Sequence, residues 1–283
     1  MKIITKITEL KAEIKALKSN GKIIGLVPTM GCLHEGHLSL VRSSVKKADC
    51  TVVSIFVNPT QFSPNEDFRE YPRDLKHDSE ILEREGVDYL FIPEASAMYP
   101  EGFKTYIEVH DLQDKLCGRS RQGHFRGVCT VVLKLFNIVD PDISFFGQKD
   151  AQQAIVLKRM VKDLDLDVNI EILPIIREKD GLALSSRNTY LDPEQRKAAL
   201  CLSKSLREAD EMFNSGERKS ARIIRRMEEI IKSEALAKID YVRIVDLNNL
   251  DPLARIEKEA LIAVAVFIGK NRLIDNTVIN TKE

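Results

Sequence analysis

A chain of 283 residues, 43% of them hydrophobic, is long enough for one large or two ordinary cores, and two domains is the expectation. Lys and Arg number 43 against 43 Asp and Glu, so no net field draws the molecule to nucleic acid or an anionic membrane, and any anion site must be local. Five scattered cysteines without a C-x-x-C pair read as reduced thiols of a cytoplasmic protein, and the lack of a signal-peptide core or of ~20 consecutive apolar residues predicts a soluble one.

Ile7, Leu10, Ile14 and Leu17 mark one face of an opening helix that Asn20-Gly21 ends. Near-continuous apolar runs at Lys22 to Val27, Thr51 to Val57, Tyr89 to Ile92 and Ile143 to Phe146 predict strands buried on both faces. Helical segments at Leu38 to Lys47, Asp74 to Glu85, Gly127 to Ile138 and Ala151 to Leu164 alternate with them, the pattern of α/β with a parallel sheet. A further strand, Val168 to Ile176, leads into the charged turn Arg177 to Gly181, which marks the domain junction. Beyond it, Asp192-Pro193-Glu194-Gln195 combines an Asp cap, a first-turn Pro and a Gln three after the cap, and starts a helix running to Phe213. A charged helix follows at Ser220 to Ser233, and β-like runs at Tyr241 to Leu247 and Ala260 to Ile268 precede Arg272 to Asn276. The expectation is a parallel-sheet domain over residues 1–175 and a smaller C-terminal α+β domain, a lid or substrate domain, over residues 176–283.

The run Pro28-Thr29-Met30-Gly31-Cys32-Leu33-His34-Glu35-Gly36-His37 follows the apolar stretch Ile23 to Val27, in the order strand, glycine turn, His-x-Gly-His, helix. Both imidazoles then fall on one face of the first helical turn. A helix start adds unpaired N–H groups and positive dipole character, which suits polyphosphate, and Gly31 and Gly36 admit a nucleotide close to the backbone. Surface or cap histidines are the plain alternative. A zinc site would need three or four ligands, and no second cysteine stands near Cys32.

Four more segments carry chemistry. Asn58 and Gln61, in Phe56-Val57-Asn58-Pro59-Thr60-Gln61-Phe62, sit where open sheets place ligand groups and offer uncharged partners to hydroxyls or a carboxylate, unless Asn58 merely shapes the turn. Arg119 to Gly127 packs three arginines and His124 around two glycines, a cationic loop over a polyanion or a solvated charge run. In Phe146-Gly147-Gln148-Lys149-Asp150, Gly147 permits close approach, Lys149 supplies a point charge for phosphate, and Asp150 caps the helix or holds a ribose hydroxyl, with Gln153 one turn on. Leu184-Ser185-Ser186-Arg187-Asn188 offers two hydroxyls and a guanidinium as a phosphate clamp. Neither a Walker A loop nor G-x-G-x-x-G is present, which argues against P-loop ATPases and dinucleotide dehydrogenases.

Taken together, PTMGCLHEGH from Pro28, FVNPTQF from Phe56, YPRD from Tyr71, GHFRGVCTVVLKLFNIV from Gly123, FGQKDAQQ from Phe146 and LSSRNTYL from Leu184 resemble the pantothenate synthetase family over essentially the whole chain. The resemblance implies a Rossmann-like nucleotide-binding domain of the His-x-Gly-His nucleotidyltransferases and a homodimer that acts on small molecules, not on nucleic acid or membrane. It implies adenylation of (R)-pantoate by ATP, with Mg2+ accompanying the ATP, and attack of β-alanine on the pantoyl adenylate. Carried over by motif, Met30, Gly31, Cys32, Leu33, His34, Glu35, Gly36 and His37 line the ATP site, with His34 and His37 against the phosphates and His37 as proton donor. Gly147, Gln148, Lys149 and Asp150 match the nucleotide loop, Ile176 a backbone contact to adenine, and Leu184, Ser185, Ser186 and Arg187 the loop that closes over the triphosphate. Lys149 joins the histidines as a catalytic candidate. Gln61 matches the residue that holds pantoate and β-alanine, and Gln153 a second pantoate contact; no protein metal ligand is assigned. Cys32 and Leu184 stand where Ala and Met are more common, Gln122 where Pro is common, and His77 beside Asp78 where some members carry paired acids near the magnesium. The other readings are a different adenylyl transferase of the same superfamily and a catalytically silent nucleotide-binding or sensor protein on this fold.

Overall fold

Apolar strands alternate with amphipathic helices as far as Leu173, and the computed structural model, which describes residues 1–62 and 68–281, folds them around a parallel sheet. Contacts divide the chain into two units. One comprises Met1–Asp114, Gly118–Gly147 and Val156–Pro174; the other comprises Lys115–Cys117, Gln148–Ile155 and Ile175–Glu283.

In chain order, the strands and helices up to Leu173 are β1 (Lys2–Ile4), α1 (Ile7–Ser19), β2 (Ile24–Thr29), α2 (Glu35–Lys47), β3 (Cys50–Ile55), α3 (Leu75–Arg84), β4 (Tyr89–Phe91), α4 (Ala95–Met98), α5 (Cys117–Ser120), α6 (His124–Val139), β5 (Ile143–Gly147), α7 (Ala151–Asp163) and β6 (Asn169–Leu173). The six strands pair in the order β1-β4-β3-β2-β5-β6, every pair parallel. Val27, Val53, Leu90 and Phe145 meet Leu40 and Val41 of α2 and Leu82 of α3 in one core, while α6 packs on β2 and against α1. Fully burying each such aliphatic or aromatic side chain stabilises by about 1.5–3 kcal/mol. This is the α/β sheet that the alternation of runs predicts. Strand β1 is absent from the sequence reading because it is only three residues long, Lys2-Ile3-Ile4, too short a run to show a period. Helix α6 starts at His124, three residues before the apolar run suggests, with Gly123 capping it at φ +78°.

The second unit continues with α8 (Pro193–Ala198), α9 (Leu200–Asn214), α10 (Ser220–Lys232), β7 (Ala237–Val245), β8 (Glu259–Ile268) and β9 (Asn271–Asn280). The helix expected from Asp192 to Phe213 is therefore two, interrupted at Ala199. The Asp192 cap forms as read: its carboxylate accepts the Gln195 N–H at 2.8 Å, and the Gln195 side chain accepts the Asp192 N–H at 3.4 Å. Strands β7, β8 and β9 form an antiparallel sheet with β8 central. Every second residue of β8 from Ala260 to Ile268 packs into a core with Leu206 and Phe213 of α9 and Met227 and Ile231 of α10. In this unit strand β9 is missing from the sequence reading. Its polar and apolar residues are mixed, and its register is fixed by the two-residue turn Gly269-Lys270, with Gly269 at φ +57°, which pairs Ile268 with Asn271. Among the described residues no helix is long and apolar enough to cross a membrane.

The cysteines are all free. Burial pushes the Cys50, Cys129 and Cys201 thiols up to about 12. Thiol reagents at about pH 8 should therefore leave these three unmodified until denaturant is added. Because the folded values lie above the ordinary thiol value of about 8.5, their contribution to stability is whole below that pH and is lost as pH climbs toward the folded value. Urea midpoints measured along an alkaline pH series should fall accordingly.

Candidate active site

The chain winds from β2 through β3 to β4 on one side of β2, and later from β5 to β6 on the other. The carboxyl ends of β2 and β5 therefore flank the switch point at which open α/β sheets bind ligands. Strand β2 ends at Thr29, and the Met30 to His34 loop leads from it into α2.

That loop is held by polar groups of its neighbours and of its own histidines. Thr29 Oγ1 donates to Ser54 O at 2.8 Å and accepts the Gly31 N–H at 3.2 Å. The Asp78 carboxylate, 1% exposed on α3, accepts the Cys32 and Leu33 N–H groups at 2.8 Å each. Burial raises Asp78 above ordinary carboxylate values, and these two hydrogen bonds oppose that rise. Gly31, at φ +83°, would bring a Cβ to 3.1 Å from Asp78 Oδ2 and from Ile55. His34 caps α2: its Nδ1 accepts the Gly36 N–H at 3.1 Å, and His37 Nδ1 accepts the His34 N–H at 3.3 Å. The ring centroids lie 4.1 Å apart. With each Nδ1 accepting, the proton of each neutral ring sits on Nε2. The row of unpaired amides expected from sequence is thus corrected. The N–H groups of Gly31, Cys32, Leu33, His34, Gly36 and His37 all have partners inside the protein. Glu35 is exposed and pairs with Arg42.

Gln61 is held with similar care. Pro59–Gln61 forms a 3-10 turn capped by Asn58, which is 1% exposed. Asn58 Nδ2 donates to Gln61 Oε1 and to Gly127 O, both at 3.1 Å. Asn58 Oδ1 accepts from Tyr99 Oη at 2.8 Å and Thr60 Oγ1 at 3.0 Å. His124 Nδ1 donates to Gln61 O at 2.8 Å while its Nε2 accepts from Arg121 at 3.0 Å, the tautomer opposite to that of His34 and His37. Gly127 has no room for a Cβ, which would lie 2.3 Å from Thr60 O, so α6 rests directly on the turn. Gln61 Nε2 points at Met30 Sδ, 3.0 Å away. A thioether is a weak acceptor, which leaves that donor suited to a stronger one.

In the second unit, Gln148–Asp150 forms a 3-10 turn ahead of α7. Asn276 of β9 donates to Gln148 O and Lys149 O at 2.9 Å each. Lys149 and Gln153 are half-buried and Asp150 is exposed. The Arg177 to Ala183 hairpin closes with Leu184 N–H on Ile176 O at 3.0 Å. Ser185 caps the 3-10 turn Ser186–Tyr190, its hydroxyl accepting the Arg187 N–H at 3.3 Å. Asn188 Nδ2 ties this turn to Glu178 at 3.0 Å and to Ala183 O at 3.1 Å.

The structure thus places His34, His37 and Gln61 in the first unit, with Gln61 against Met30 of the histidine loop, and Lys149, Gln153, Ile176 and Leu184 to Arg187 in the second. Tyr99 escaped the sequence reading, Asn188, Asp275 and Asn276 were given no role in it, and Asp78 entered only as a magnesium neighbour. Asp275 and Asn276 had a readable signal, two adjacent polar residues after Leu273-Ile274 in a strand-like run. Among the described residues no group of three or more His, Cys, Asp or Glu is placed to hold a metal ion.

The chain is similar throughout its length to known proteins. The family model described as Pantoate-beta-alanine ligase matches residues 2–278. The pantothenate synthetase of Pelotomaculum thermopropionicum is 55% identical over 99% of both chains, and that of Thermosipho africanus 56% over 99% of this chain and 100% of its own. The crystal structure of the Thermus thermophilus pantothenate synthetase superposes with a TM-score of 0.93 at 43% identity, covering 98% of this chain and 99% of that one. The Francisella tularensis pantoate-beta-alanine ligase, complexed with beta-gamma ATP and beta-alanine, gives 0.81 at 36% identity, covering 98% and 97%.

Asp78→Asn leaves one oxygen for two N–H donors and turns an NH2 toward one of them. The variant should lose about 1–3 kcal/mol of stability, read from the urea midpoint.

Proposed function

The chain belongs to the pantoate-beta-alanine ligase family, and from that premise we propose how its residues divide the ATP-dependent condensation of (R)-pantoate with β-alanine. The relatives' names support a ligase and not the silent nucleotide sensor.

In the first step a pantoate carboxylate oxygen attacks the α-phosphorus of ATP, and the bond to the bridging oxygen breaks to release pyrophosphate. Negative charge grows on the α-phosphate and the leaving group. His34 and His37 aim Nε2–H donors at it, with His37 the proton donor, and Lys149 adds a fixed positive charge. ATP arrives with Mg2+, which shields its phosphates as part of the substrate. The other ATP contacts are Met30 to Leu33, Glu35 and Gly36 beside the histidines, Gly147, Gln148 and Asp150 beside Lys149, the Ile176 backbone, and Leu184 to Arg187. Gln61 and Gln153 hold pantoate, and Gln61 also holds β-alanine. A small hydroxy acid calls for such neutral partners, because extra cations would favour a phosphorylated acceptor. In the second step the uncharged β-alanine amine attacks the acyl carbonyl. A C–N bond forms, the amine gives up a proton, and AMP leaves with the adenylate oxygen.

One observation carries this reading: two imidazoles at the carboxyl end of β2, each with Nδ1 accepting a backbone N–H and so with its donor at Nε2. Donors fixed in advance need no reorganisation as charge develops. On this reading residues 1–175 bind ATP and pantoate, residues 176–283 form the smaller substrate domain, and the enzyme is a cytoplasmic homodimer.

Exchange of labelled pyrophosphate into ATP should require pantoate. Exchange without pantoate, or nucleotide binding with no exchange, would overturn the ligase. His37→Ala should lower single-turnover adenylation by roughly 10²- to 10³-fold, the scale of removing one transition-state donor. Gln61→Ala should weaken pantoate binding much more than ATP binding, as measured by separate titrations; equal losses would mean misfolding.

A further inference from the structure

The buried pair Asp275-Asn276 on β9 touches segments assigned above to ATP. Asn276, 4% exposed, places its amide nitrogen 2.9 Å from two successive backbone carbonyls, Gln148 O and Lys149 O. A side-chain amide has two hydrogens, so both are used. Its Oδ1 accepts from Gln148 Nε2 at 3.3 Å. Asp275, 2% exposed, accepts hydrogen bonds from both terminal guanidinium nitrogens of Arg177 at 2.7 and 2.9 Å, and its Oδ1 also accepts the Asn276 N–H at 2.8 Å. Arg177 adjoins Ile176, whose carbonyl receives the Leu184 N–H.

This network grips the backbone of Lys149 and not its ammonium. Two adjacent carbonyls held by one side chain fix two consecutive peptide planes, and with them the direction in which the Lys149 stem leaves the turn. A lysine is a point charge on a flexible four-carbon stem, so its aim depends on its root. We propose that Asn276 is a positioning residue for adenylation, acting through the Lys149 backbone, while Asp275 and Arg177 tie the same frame to the Ile176 to Leu184 hairpin. The inference rests on the assignment of Lys149 to phosphate.

The test is pantoate-dependent pyrophosphate exchange at varied ATP, run well below each melting midpoint, for Asn276→Ala, Asn276→Ser, Lys149→Ala and the Asn276→Ala/Lys149→Ala double variant. Asn276→Ala should lower kcat/KM for ATP by about 10- to 100-fold, the scale of a misplaced catalytic group. Asn276→Ser keeps one O–H donor and should recover part of that loss; it also serves if the alanine variant does not fold. Added to Lys149→Ala, the alanine change should cost less than about threefold more, because both changes remove one contact. Losses that multiply would overturn the inference, as would wild-type kcat/KM for ATP in both Asn276 variants while Lys149→Ala is crippled. Wild-type exchange by Lys149→Ala would instead overturn the assignment of Lys149 to phosphate, and the inference with it.

Discussion

A strand that turns into a helix within five residues has backbone N–H groups to satisfy, and in this protein the buried Asp78 carboxylate receives two of them. It holds Cys32 and Leu33, and Thr29 holds Gly31. Only with those three amides fixed does His34 arrive at the cap of α2, and only from the cap can its ring stack on His37. Gly31 is required twice over, for its positive φ and for the space between Asp78 and Ile55. The backbone of the histidine loop is therefore set in part from α3, through Asp78.

The same device recurs at each segment proposed to meet substrate. Asn58 grips Gln61, Asn276 grips Gln148 and Lys149, and Asn188 grips the loop carrying Ser185 to Arg187. Each brace is a short amide or carboxylate. Such side chains have few rotamers to freeze, so ordering them costs less than ordering a long one. The groups they hold are long or ring-bearing, the types that can reach a ligand but would otherwise wander. Preorganisation is thus distributed, with one small polar residue for each working segment.

Most of the first unit was legible in the sequence because its strands are buried on both faces and read as apolar runs, Thr51 to Val57 above all. The proposed site residues stand out as motifs: His34 and His37 by their spacing, Gln61 by its place after a strand, and Lys149 by the glycine before it. What could not be read was who holds them. Asp78 lies 45 residues from Leu33, and Asn276 lies 127 from Lys149; no local periodicity encodes a hydrogen bond over such a separation. Strand β9 escaped because Asp275 and Asn276 interrupt its apolar pattern, and those interruptions are the braces themselves. The direction of the helix-start amides escaped for a related reason, since sequence shows that such donors exist but not that neighbouring side chains have claimed them.

Gly127 has a mechanical consequence. Where two elements meet through side chains, rotamers and methylene stems act as springs and absorb small displacements. Between α6 and the Pro59–Gln61 turn there is no such compliance, because backbone rests on backbone at Thr60 while His124 and Asn58 pin the two sides together. The helix and the turn form one stiff body. A shift of α6 therefore carries the Gln61 turn with it, so the helix acts as the gauge that sets where the Gln61 amide lies.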